Sequence, residues 1–171
     1  MAFGSNQHGQ CGLDDTNDKE KWLRYSYHNE EEIDEPTIVS FFNDKQVRDI
    51  SCGALHTIVL TVYGQVYVNG GNAYYQLGIG DKSKRYIPEL NEYLKDKNIV
   101  DIKCGYYHNV VKTDNDEFYL FGDNTDYQCL VFDFEDDYDE EYVKIPTQFK
   151  LENKDIVAIY PGFYATRVVC K

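Results

Sequence analysis

Two cysteine–histidine pairs, Cys52/His56 and Cys104/His108, are the residues of this 171-residue chain best equipped for chemistry. A thiolate and an imidazole at that separation could share an ion, and two such half-sites would complete a tetrahedral zinc centre. Structural zinc sites favour tighter Cys-x-x-Cys pairs, and here each pair recurs inside a longer repeated phrase. A ligand set is needed once, so a repeated one reads as architecture. In that reading the cysteine is a small buried residue. The adjacent Gly53 or Gly105 lets backbones approach closely, and the histidine bonds a neighbouring loop within its own unit. No metal is expected. Gly78-x-Gly80 followed by Asp81 has the opening of a nucleotide loop but no third glycine and no following helix. The run Asp133 to Glu141 holds seven acids in nine residues without the glycine and spacing of a calcium loop. It reads as a solvated loop, with Asp136 and Asp137 as contacts for a basic partner. No Ser/His/Asp grouping stands out, so neither a catalytic residue nor a cofactor is expected.

The longest linker, 14–35, offers a different kind of site. Trp22, Arg24 and Tyr25 belong to the types that dominate interface hot spots, and Glu31 and Glu32 follow them. They are candidate partner contacts. The competing reading is local packing of the rings onto the first unit.

The elements that must carry these residues repeat. Ile50-Ser-Cys52-Gly53-Ala-Leu-His56 returns 52 residues later as Ile102-Lys-Cys104-Gly105-Tyr-Tyr-His108. A fainter copy is Ile159-Tyr-Pro-Gly162-Phe-Tyr-Ala165. A second phrase cycles out of phase with the first. Phe3-Gly4-Ser-Asn6-Gln-His-Gly9-Gln10-Cys-Gly12 becomes Asn69-Gly70-Gly-Asn72-Ala-Tyr-Tyr75-Gln76-Leu-Gly78, then Phe121-Gly122-Asp-Asn124-Thr-Asp-Tyr127-Gln128-Cys-Leu130. Two phrases at a shared period mean one supersecondary unit used three times. About 57 residues per unit is too long for most helical-pair repeats and suits a four-stranded propeller blade. His56 to Thr61 and Val66 to Val68 read as a hairpin closed at Gly64. His108 to Lys112 and Phe118 to Phe121 repeat it, with Asp116 at the turn. Short strands precede each Cys-Gly or Pro-Gly. Pro36, Pro88 and Pro146 close the linkers and suit the starts of edge strands.

Composition narrows the function. Net charge is −13, from 17 basic and 30 acidic residues, which argues against DNA binding by overall field and suits a basic partner. Aromatics reach 15%, including 16 tyrosines, in keeping with half-buried strands. Five cysteines in a chain long enough to bury a core read as reduced thiols of a cytoplasmic or nuclear protein. The N-terminus has no basic and apolar leader, and no apolar run reaches membrane-spanning length, so neither secretion nor membrane insertion is expected.

Taken together, the two phrases resemble the repeat of the regulator of chromosome condensation family. That repeat runs from a Trp-Gly-x-Asn-x-x-Gly-Gln-Leu-Gly phrase to a Cys-Gly-x-x-His phrase and a glycine-centred hairpin. Gly4, Asn6, Gly9, Gln10 and Gly12 carry the first match. Gly70, Asn72, Gln76, Leu77, Gly78, Cys104, Gly105 and His108 carry the next, and Gly122, Asn124 and Gly162 the last. Phe3, Asn69 and Phe121 stand where the family has Trp. Tyr75, Tyr127 and Leu130 replace glycines, and Ala165 replaces the histidine. The resemblance implies an all-β fold of propeller blades. Proteins of the family close seven, and three units leave the ring open. We therefore expect one partial propeller domain, 1–171, of about three four-stranded antiparallel blades, with units near 2–65, 66–117 and 118–171. Gly4, Asn6, Gly9, Gly12, Cys52, Gly53, His56, Gly70, Asn72, Gly78, Cys104, Gly105, His108, Gly122, Asn124 and Gly162 are its structural positions. A piece of a longer protein, a decayed paralogue and a head-to-tail assembler joined through unpaired edge strands remain open. The resemblance implies a non-enzymatic interaction scaffold for a protein partner: a small GTPase, a ubiquitin-pathway protein or a chromatin protein. The alternative is nucleotide exchange on a Ran-like small GTPase.

Overall fold

The computed structural model describes residues 1–13, 32–130 and 141–171. The apolar runs that alternate with glycine turns become twelve strands. β1 (Ala2–Ser5) pairs antiparallel with β2 (Glu32–Thr37). β3 (Val47–Cys52), β4 (His56–Thr61), β5 (Val66–Gly70) and β6 (Arg85–Leu90) form one four-stranded sheet in chain order. β7 (Ile99–Cys104), β8 (His108–Thr113), β9 (Phe118–Asp123) and β10 (Tyr142–Phe149) form a second. β11 (Ile156–Pro161) and β12 (Thr166–Cys170) pair alone. Two complete blades thus stand between two half-blades, and the ring is not closed.

The half-blades are complementary. β1 carries Gly4 one residue before its end where β5 ends on the equivalent Gly70, so β1 and β2 are the outer strands of a blade. β12 starts after Ala165 as β4 starts at His56, so β11 and β12 are inner strands. Among the described residues, β1 and β12 each keep one unpaired edge.

The central strands are buried on both faces, because each blade is covered by the next. β4, β5, β8 and β9 are almost wholly shielded, which is why His56-Thr-Ile-Val-Leu and Phe118-Tyr-Leu-Phe121 read as continuous apolar runs rather than alternating ones. Ile58, Leu60, Val68, Leu77, Ile99, Leu120 and Phe121 make one core between the two complete sheets. Phe121 is fully buried, and its ring lies against Gly78 so closely that a β-carbon there would come within 2.5 Å of it. The phenylalanine in place of the family's Trp is therefore an inter-blade plug that requires glycine opposite.

The prolines depart from expectation. Pro36, Pro88 and Pro146 lie inside β2, β6 and β10, not at their starts. Each of these is the outermost strand of its sheet, where one side of the ladder needs no N–H donor. The pairing of each also shifts register, between Ala2 and Gly4, Val68 and Gly70, and Val143 and Thr147, as a bulge would. Among the described residues no helix is long and apolar enough to cross a membrane.

Candidate interaction face

One end of the sheets gathers both repeated phrases. Cys52 pairs with Thr57, and His56, Gly70 and Arg85 face one another across the next strands, so the β3–β4 and β5–β6 loops leave from the same end. The β7–β8, β9–β10 and β11–β12 loops do likewise.

The glycine-glutamine phrase builds a loop held by its own side chains. Asn6, Asn72 and Asn124 each accept, through Oδ1, the N–H five residues on, from Cys11, Leu77 and Cys129, all at 3.0 Å. Gln10, Gln76 and Gln128 accept the N–H two residues back at 2.8–2.9 Å. The fourth residue of the Asn-x-x-Gly stretch must then adopt left-handed backbone. Gly9 does so at φ 85°, and Tyr75 and Tyr127 do so at 55° and 60° despite their side chains. For a bulky residue that is strain, which persists only where the surroundings hold it.

The second phrase joins blades. Thr57, Asn109 and Thr166, the residues after the His position, donate to the carbonyls of Gln10, Gln76 and Gln128 at 2.8, 2.7 and 2.6 Å. The histidines complete the seam. His56 Nε2 lies 2.7 Å from Asn109 Oδ1, and His108 Nε2 lies 2.9 Å from Thr166 Oγ1. The Thr166 hydroxyl proton is already given to Gln128, so His108 Nε2 is the donor. With the Asn109 amide oriented to donate to Gln76, His56 Nε2 is a donor too. Nδ1 of both rings then carries no proton and has no partner. Burial pushes both imidazoles down to about 4, so they are neutral at pH 7. These bonds reach into the next blade, not within the histidine's own unit as the spacing suggested. The partner lies about 50 residues away, and its type changes from Asn to Thr. Gly53 and Gly105 serve the same seam, as a β-carbon on Gly105 would sit 2.6 Å from the Gly162 carbonyl oxygen.

The cysteines are less uniform than expected. Cys52 is exposed and Cys104 half-buried, while Cys129 is fully buried. Cys104 donates to the Ser51 carbonyl at 3.2 Å, with its thiol pushed up to about 12 by burial first. Among the described residues no three His, Cys, Asp or Glu side chains converge as a metal site.

On top of this scaffold the loop residues form a continuous run of seven rings. Tyr75 meets Tyr142 at 5.8 Å between centroids, and Tyr142 meets Tyr74 at 6.0 Å. Tyr74 stacks on Tyr107 at 4.4 Å, Tyr107 touches Tyr106 at 4.4 Å, and Tyr106 stacks on Phe163 at 3.7 Å. Tyr164 ends the run, edge-on to Phe163 at 4.3 Å. Phe163 and Tyr164 remain more than half exposed, at 52% and 55%. Burial and the Tyr106 phenol keep the Tyr107 hydroxyl protonated, pushed up to about 12. At the other edge Lys82 sits over Tyr142 and Tyr75, 4.8 and 5.2 Å from their centroids.

Sequence reasoning read Tyr106-Tyr107 and Phe163-Tyr164 as the variable middle of the Cys-Gly-x-x-His phrase. The signal was aromatic recurrence at those two places and again at Tyr74-Tyr75. The candidate contacts Trp22, Arg24, Tyr25, Glu31, Asp136 and Asp137 lie outside the described residues. Glu32 is exposed at the start of β2. An open cleft of about 660 Å³ at the opposite end mixes Lys112, Glu117, Lys154 and Lys171. There Glu117 is already engaged by Gln148, and Lys112 by Asp116.

Comparison with known proteins returns the same pattern. A family model for the regulator of chromosome condensation (RCC1) repeat matches residues 2–60 and 63–111, and a second of the same description matches 47–76 and 99–128. An RCC1 repeat-containing protein of Dictyostelium discoideum is 30% identical over 132 residues, 76% of this chain and 24% of the relative. The human X-linked retinitis pigmentosa GTPase regulator is 30% identical over 127 residues, 74% of this chain and 11% of the relative. The chain thus spans about a quarter of the first relative's length and about a tenth of the second's. In fold it is similar to Prp20p of Saccharomyces cerevisiae, a protein described with binding properties to Gsp1p and histones. The TM-score is 0.73 at 20% identity, covering 98% of this chain and 38% of that one. Human WBSCR16 gives a TM-score of 0.72 at 20% identity, covering 97% of this chain and 38% of that one.

Proposed function

Because this chain belongs to the regulator of chromosome condensation repeat family, we propose that it is a non-enzymatic protein-interaction module docking its partner on the aromatic end of the blades. The observation that carries this reading is the seven-ring run from Tyr75 to Tyr164, built on loops and held by a rigid seam. Two of its rings, at one end of the run, are half exposed, and at the other end Tyr75 is held in left-handed backbone. Large amphipathic rings give contact area at low entropic cost. Its partner is a small GTPase or a basic protein, met in cytoplasm or nucleus. The acidic charge disfavours direct contact with DNA.

The test is comparative capture. A variant carrying Phe163→Ser and Tyr164→Ser changes exposed rings, so it is expected to keep its melting temperature within a few degrees. It is expected to lose, by at least about tenfold, partners that the unaltered chain retains in parallel quantitative pull-downs. Equal retention by both chains would refute the face.

Nucleotide exchange on a Ran-like GTPase is the second reading, supported by the relatives and neighbours described as a GTPase regulator and a Gsp1p binder. Exchange requires tighter hold on the nucleotide-free than on the loaded GTPase. The two blades and two half-blades here offer only part of a propeller's rim. The expected result with fluorescent GDP on a Ran-like GTPase is no acceleration of release. A rate rising with added chain would favour the exchange reading.

A further inference from the structure

Building on the reading of this end as an interaction face, we propose that its occupant is an extended, arginine-bearing segment whose guanidinium groups stack on the ring run.

Four observations point to that chemistry. The protein already places cations on these rings: Lys82 lies 4.8 Å from the Tyr142 centroid, and Lys144 lies 5.9 Å from that of Tyr75. The field favours more of them. The stretches that join β1 to β2 and β9 to β10 start and finish at this end. Between them they hold fourteen acids and three bases, most of the chain's net −13. The rings are exposed where a guanidinium would need them, at Phe163 and Tyr164. Finally, Tyr75 is kept at φ 55°, where Gly9 in the first copy of the phrase has no strain to bear. A position that suits glycine yet holds a half-buried tyrosine is explained by what the ring contacts.

Arginine fits better than lysine. Its planar, weakly hydrated group stacks on an aromatic face while its N–H fork still reaches phenol or carboxylate oxygens. Alternate side chains of an extended strand stand about 7 Å apart on one side. Successive arginines of an Arg-x-Arg segment therefore reach neighbouring rings, which follow one another at 3.7 to 6.0 Å. Single-stranded nucleic acid would stack on the same rings but brings phosphates into a negative field.

The experiment measures fluorescence anisotropy of the full chain with two labelled peptides, one alternating Gly and Arg, the other alternating Gly and Lys. At physiological salt the Arg peptide is expected to bind about tenfold more tightly than the Lys peptide. Phe163→Ser with Tyr164→Ser should erase that difference, leaving only salt-sensitive attraction. Tyr75→Gly suits the local backbone, so it keeps the fold and still weakens the Arg peptide. Lys82→Ala uncovers two rings and removes a positive charge, so it should tighten the Arg peptide about two- to threefold. Equal affinity for the two peptides, indifference to ring removal, or tighter binding of an oligo-thymidine probe would overturn the proposal. If neither peptide binds while the ring variant still loses its captured partners, the arginine proposal fails and the face stands. If that variant keeps every partner, the face itself fails.

Discussion

Replacing Gly122 with alanine is expected to cost about 4 kcal/mol of folding stability, whereas the same change at Gly4 costs about 1 to 2. The two glycines occupy the same place in the repeated phrase, and both take left-handed backbone, at φ 110° and 99°. A β-carbon adds strain at each. At Gly122 it also collides with the Tyr107 carbonyl oxygen and comes within 2.9 Å of His108 Cα and 3.3 Å of Gln76 Cα. All three are backbone atoms and have no rotamer through which to withdraw. At Gly4 nothing lies within 4 Å, because β1 lacks the inner strands that press on β5 and β9. Urea unfolding of both variants, monitored by far-ultraviolet circular dichroism, reads the difference. Equal losses would mean that the close packing of the phrase against the neighbouring hairpin contributes nothing.

Acidification should dismantle the seam before it touches the surface carboxylates. His56 and His108 titrate near 4 in the folded chain against an ordinary 6.5. A lowered folded value means that the unfolded chain binds the proton more readily. The stabilisation is therefore complete above about pH 6.5, shrinks as pH falls, and is exhausted once pH passes below about 4. For fully buried His56 the loss amounts to about 3 kcal/mol across that window. The cause is geometric: Nε2 is committed to Asn109, and a second proton on Nδ1 would be a buried charge with no acceptor. Asp44, Asp81 and Asp116 are held below their ordinary 3.8 by Lys45, Arg85 and Lys112, so their share is lost only at lower pH. Urea midpoints at pH 7, 5.5 and 4.5 should fall steadily. In a chain carrying His56→Gln and His108→Gln the curve should be nearly flat over the same range. Parallel curves would show that the imidazoles are not the groups responsible.

Much of the fold could be read from residues, and the reasons are local. The hairpin from His56 to Val68 announces itself through β-branched residues around a glycine turn, and its copy through Asp116, which takes φ 62° in place of Gly64. Partners across a seam were hidden. Nothing in the sequence around His56 marks Asn109, and the equivalent partner of His108 is a residue of another type, Thr166. The prolines misled for a related reason: an edge strand tolerates proline wherever its outward N–H is idle, not only at its first residue. The ring run was invisible because side chains from three loops and one strand become neighbours only when blades are stacked. Residue spacing records periodicity along the chain, whereas that surface is assembled across it.

The seam also bears on how such a chain can change over generations. Two junctions are written by the same small set: a histidine, the residue that follows the equivalent position one blade on, and a glutamine carbonyl one blade back, while Thr57 and Gln10 repeat the last of these bonds at a third. A tandem duplication or deletion that spans one period brings a matching donor to a matching acceptor, wherever within the period the DNA breaks. New blades therefore arrive with their joints already made.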